Sequence, residues 1–174
     1  MRVWDPLVRV AHWTLGASVL GCLVWRHGGA LHETLGWVAL GTVMLRVVWG
    51  FSGPRHARFA DFVHRPRHVL AYARAALRGR EPRHIGHNPL GGWMIVALLL
   101  AGGVAGLSGA LSVTNRYWGV AWVGTLHEVS AWSFALLLPL HVLGVVVASI
   151  RQRENLAAAM ITGRKRGAAE GDVA

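Results

Sequence analysis

LHEVSAWSFALLLPLHVLGVVVASI runs from Leu126 to Ile150 without a single Arg or Lys, and Glu128 is its only acid. A helix needs about 20 mostly apolar residues to cross the hydrocarbon core of a bilayer. This stretch is long enough, yet it carries two histidines, His127 and His141. Its opening pattern, Leu-His-Glu-x-x-x-Trp, occurs a second time from Leu31 to Trp37. A polar ring is costly in lipid and marks function by default. The reading of the fold therefore turns on what these histidines face.

Three further segments have the same character, giving expected spans at 9–27, 31–52, 89–111 and 126–150. Gly28-Gly29 separates the first two, Ser52-Gly53-Pro54 ends the second, and Asn88-Pro89 opens the third with Pro at a favourable first-turn position. The composition agrees: 53% of the 174 residues are hydrophobic and 15% charged, against about a quarter charged in an ordinary soluble domain. The net charge of +10 would suit a nucleic-acid binder. So apolar a chain instead places that charge against anionic headgroups, and nucleic acid is not an expected partner. The fold class is all-α, an integral membrane four-helix bundle formed as a single domain over residues 1–174.

Basic residues set the orientation. Fifteen fall at the N-terminus, in the 54–88 loop and in the 151–174 tail, whereas only Arg26 and Arg116 fall on the other side. Both termini and the basic loop are thus expected in the cytoplasm, and the chain in a bacterial inner membrane. Within the loop, Val69, Leu70, Ala73, Ala76 and Leu77 recur at helical spacing beside Arg67, Arg74 and Arg78. This predicts a short amphipathic helix on the inner leaflet. The one cysteine, Cys22, excludes an internal disulfide and reads as membrane-buried.

Of ten histidines, four lie in the spans: His12, His32, His127 and His141. Depth pairs them. His32 and His127 each begin a span that starts outside, so they share the outer level. His141 follows His127 by fourteen residues, roughly 21 Å and nearly four whole turns further inward. There it shares the inner level with His12. Two histidines at one level on facing helices can hold a metal or a haem iron. Zinc usually asks for four ligands, whereas haem asks for two axial ones and room for a flat ring. Gly16, Gly36 and Gly144, each three or four residues after one of these histidines, offer that room. No Cys-x-x-Cys-His is present, so covalent haem attachment is excluded. Arg46 follows His32 by the same fourteen residues. It either snorkels to the inner interface or meets an anion, a haem propionate being the natural one and a quinone carbonyl an alternative partner.

With these residues in place the chain resembles the bacterial and hydrogenase-type cytochrome b561 proteins. The marks are Arg2-Val3-Trp4-Asp5-Pro6 with Ala11-His12-Trp13, Arg46-Val47-Val48-Trp49-Gly50-Phe51, Gly86-His87-Asn88-Pro89-Leu90-Gly91, Leu126-His127-Glu128, Leu140-His141, Arg153-Glu154-Asn155-Leu156 and Met160-Ile161-Thr162-Gly163. Each is weak alone; their order is specific. The resemblance implies two non-covalent haem b groups with bis-His ligation: His12 and His141 on the inner iron, His32 and His127 on the outer. It implies electron transfer between a quinone and a redox partner, such as a c-type cytochrome or a dehydrogenase or hydrogenase subunit. The alternative is a self-contained quinone-linked oxidoreductase resembling a superoxide oxidase.

Overall fold

A computed structural model describes residues 1–173. The chain is all-helical, with seven helices among the described residues: α1 Pro6–Val24, α2 Ala30–Ser52, α3 Phe59–Phe62, α4 Pro66–Leu77, α5 Pro89–Ser112, α6 Ala121–Arg151 and α7 Leu156–Thr162. Four of them, α1, α2, α5 and α6, are long and apolar enough to cross a membrane. Their large side chains lie open, Leu100 at 64%, Leu136 at 68% and Ile150 at 71% exposure. So much contiguous apolar surface on a folded chain calls for lipid. Satisfying backbone groups within helices is what makes such a solvent tolerable. The hydroxyls follow the same rule: Ser108 Oγ donates to Val104 O at 2.6 Å and Ser130 Oγ to Leu126 O at 2.6 Å.

Two helix starts differ from the expected spans. α1 begins at Pro6 because Asp5 caps it: Oδ1 accepts from Leu7 N at 3.0 Å and Val8 N at 3.2 Å. α6 begins at Ala121, just after Gly119 turns the chain at φ 72°. His127 therefore lies inside the second turn of α6 rather than in its first turn. At 31 residues, α6 extends about 46 Å, beyond the ~30 Å apolar core. Pro139 lies within it, between His127 and His141, and contributes no N–H to the helix ladder. The turn between α1 and α2 uses Gly28 and Gly29 at φ 84° and 91°, values that side-chain-bearing residues avoid. The amphipathic helix forms as α4, with Leu70, Leu77 and the Arg side chains outward and Tyr72 buried.

The chain divides into two compact units, each assembled from separate stretches. One holds Val10–Val48 and Ala97–Pro139. Here the glycine face of α5 receives its neighbours. A Cβ at Gly106 would lie 3.0 Å from Leu40 Cβ, and one at Gly102 would lie 3.1 Å from Phe134 Cε2. Removing those Cβ atoms lets helices approach closely where no hydrophobic drive from water operates.

The other unit holds Met1–Arg9, Trp49–Val96 and the chain from Leu140 onward. Its core is Val3, Trp4, Ile85 and Ala159, with Met160 packed on it. The tail is tied down by buried charge. Arg83 pairs with Glu154 at 3.1 Å and with Asp172, and Lys165 Nζ lies 3.6 Å from Glu154. Lys165 also donates to Ile85 O at 3.0 Å, and the N-terminal ammonium donates to Lys165 O at 2.6 Å. Gly163 closes α7 at φ 76°, and a Cβ there would press on Trp4 O at 2.8 Å.

Burial alone would push the Glu154 carboxyl up. The Arg166 N–H, Lys165 and Arg83 outweigh it and hold the group below its usual range. Lys165 is held below its usual range too, by burial above all, with Glu154 opposing. A lowered carboxylate contributes stability above its unfolded value, about 4.3, and loses it as pH falls through the folded value. A lowered lysine also makes the folded state relatively more stable as pH rises towards its ordinary ~10.4. Both terms loosen the tail on acidification. Breaking one partner out of such a buried cluster costs about 3–5 kcal/mol. Arg83→Ala is therefore expected to raise the rate of tryptic cleavage at Arg164, Lys165 and Arg166 by more than about tenfold. An unchanged digestion rate would show that the cluster does not hold the tail.

Candidate functional site

The site is built where the first span turns into the second and where α6 has completed one turn. α1 ends at Val24, and the last carbonyls of a helix have no partner of their own. His32 uses one. Its Nδ1 lies 3.0 Å from Trp25 O. On α6, His127 Nδ1 lies 2.8 Å from Ala105 O of α5. A carbonyl oxygen only accepts, so in both rings Nδ1 carries the proton and donates. Each ring then keeps Nε2 as a lone pair free to bind a metal, the tautomer that metal-ligating histidines adopt.

The two ring centroids are 6.1 Å apart at 77°. A metal–imidazole bond is about 2 Å long and a ring centre lies roughly 1 Å behind its nitrogen, so two imidazoles across one metal stand about 6 Å apart. The separation fits one metal held between His32 and His127. Among the described residues no group of three or more His, Cys, Asp or Glu converges on a metal site. A pair suits an iron whose equatorial ligands come with it. A Cβ placed on Gly16, Gly36 or Gly144 would meet nothing within 4 Å.

The remaining expected residues fall as follows. His12 lies on α1, half-buried, with its ring edge-on to Trp13 at 5.1 Å. His141 lies on α6, half-buried, in the unit that does not contain His12. Arg46 lies on α2 and is 8% exposed. Sequence reasoning missed three features around this histidine pair: the Trp25 carbonyl, the Ala105 carbonyl and Gly109. A Cβ on Gly109 would stand 3.1 Å from both Cε1 and Nδ1 of His127. Gly102, Gly106 and Gly109 share one face of α5 at helical spacing. That signal was readable for Gly109. The carbonyls have none, because every residue carries one.

Four helices long and apolar enough to cross a membrane define a multi-pass membrane protein, and within one unit of it the His32 and His127 rings stand 6.1 Å apart. Residues 3–163 match the family described as prokaryotic cytochrome b561, and the chain belongs to that family. No curated protein and no solved structure matches it. It is thus a membrane cytochrome of the b type, with haem b as cofactor and electron transfer as its work. The 6.1 Å spacing of the His32 and His127 rings fits that group. Gly36→Leu would fill the space after His32. It is expected to lower the haem bound per chain, assayed as pyridine haemochrome, with helix content unchanged by circular dichroism. Full haem content in that variant would show the space to be unused.

Proposed function

We propose that the chain holds two haem b groups and carries single electrons across a bacterial inner membrane between a quinone and a redox protein such as a c-type cytochrome or a dehydrogenase or hydrogenase subunit. The observation that carries the reading is the His32–His127 pair, 6.1 Å between rings with both Nδ1 atoms on backbone carbonyls. The haem supplies the one-electron couple; the chain's own residues set how it is used.

His32 and His127 hold the outer iron. His12 and His141 hold the inner one, an assignment that rests on helical phase, since fourteen residues return α6 to nearly the same face. Two histidines on each haem iron would leave dioxygen no site there, which favours electron transfer over oxygen activation. Arg46, fourteen residues along α2 from His32, is buried, and a propionate of the inner haem would be a natural counter-charge for it. Termini, basic loop and tail face the cytoplasm, by the excess of Arg on that side. Residues 1–174 act as one cytochrome domain.

The test is a haem count with a redox titration of the purified chain. Two haems per chain and two one-electron transitions are expected. His141→Ala should lose one haem and keep the outer; His127→Ala should lose the other and keep the inner. Variants that retain both haems would overturn the pairing.

A further inference from the structure

We propose that Gly109 is a positioning residue for the outer haem ligand: by leaving no side chain beside His127 it lets that ring donate to Ala105 O, and so sets the outer reduction potential. The proposal rests on the assignment of His127 as a haem ligand.

The geometry is local and lies within one unit of the chain. Ala105 and Gly109 are one turn apart on the same face of α5, and the Ala105 carbonyl receives the His127 Nδ1–H at 2.8 Å. The backbone under the ring is fixed as well, since Ser130 Oγ donates to Leu126 O at 2.6 Å and to His127 O at 3.0 Å. His127 is therefore held at its backbone and at Nδ1, and its Cε1–Nδ1 edge passes over Gly109. A methyl group there would stand 3.1 Å from both edge atoms, inside normal van der Waals contact. The obstacle would be the imidazole itself, not the end of a flexible chain. The ring would have to turn or retreat by a few tenths of an ångström, and the Nδ1–H bond would lengthen.

That bond has electronic consequences. A carbonyl accepting from Nδ1–H makes the imidazole a stronger donor at Nε2, and such outer partners tune the metal. A stronger donor favours the ferric state. Weakening the bond therefore raises the potential of that haem and leaves the other alone. His32 differs: its Nδ1 is held by the Trp25 carbonyl, just beyond the end of α1. The control lies on the same helix. A Cβ on Gly103 meets Val43 Cγ1 at 3.7 Å, an ordinary contact, so Gly103→Ala adds the same methyl without touching a ligand.

Gly109→Ala and Gly103→Ala are compared with wild type as purified holoprotein, by redox titration and by low-temperature EPR of the ferric haems. Gly109→Ala is expected to shift one midpoint upwards and move one low-spin signal, with the second haem unchanged; Gly103→Ala should move neither. Loss of the outer haem alone is the same steric conflict carried further and supports the proposal. Wild-type potentials and spectra in Gly109→Ala overturn it. If Gly109→Ala loses both haems, the decision passes to wild type, where the Nδ1 proton of one outer ligand should couple to its iron in ENDOR spectra and resist exchange in D2O. A rapidly exchanging proton there overturns the proposal. His127→Ala separates the two ideas: retention of both haems defeats the ligand assignment, whereas loss of one haem with a silent Gly109→Ala defeats only the role of Gly109.

Discussion

The hydrogen bond from His127 Nδ1 to the Ala105 carbonyl is the interaction on which the rest depends. In hydrocarbon a polar group has no water to fall back on, so an imidazole there must find its partner inside the protein. A helix carbonyl has two lone pairs, one of which serves its own ladder. Ser108 Oγ on the same helix lies 3.1 Å from the Ala105 carbonyl, and His127 reaches that carbonyl as well because the glycine face of α5 lets its neighbours come close. Meeting the ring's need at Nδ1 leaves Nε2 uncommitted. The same bond thus makes the histidine tolerable in the membrane and available to iron.

His32 repeats this logic with different materials. His32 finds its acceptor at Trp25, where the end of α1 leaves carbonyls unspent. The paired Gly28-Gly29 turn returns the chain at once into α2. A short connection between two spans therefore also orients the His32 ring. Such economy leaves little freedom in the sequence around residues 22–32, where Cys22 Sγ also reaches His32 O at 3.7 Å.

Much of this was legible in the sequence, and the limits are physical. The four apolar runs announced the spans because lipid imposes length and composition directly. The matching Leu-His-Glu-x-x-x-Trp patterns at Leu31 and Leu126 announced that His32 and His127 belong together. The early start of α6 was hidden, since Ala121 to Thr125 mixes apolar and polar residues and the break at Gly119 is a matter of φ rather than hydropathy. The tail cluster of Arg83, Glu154, Lys165 and Asp172 joins residues up to 89 positions apart, which no local pattern encodes. It gives a physical reading to several weak motifs of the chain. Trp4, Asp5, Trp49, His87, Glu154 and Gly163 are scattered in sequence but meet in one unit. There Trp49 donates to Asp5 at 3.4 Å, and the Trp4 and His87 rings lie 4.4 Å apart.

In the proposed function two protein imidazoles would bind each haem iron, at its two axial positions. This claim is tested most directly by exposing the dithionite-reduced, purified chain to carbon monoxide and recording the absorbance spectrum. With both positions taken, the spectrum should remain that of the reduced low-spin form. Rapid, stoichiometric conversion to a carbon monoxide adduct would reveal an open coordination site and contradict the account.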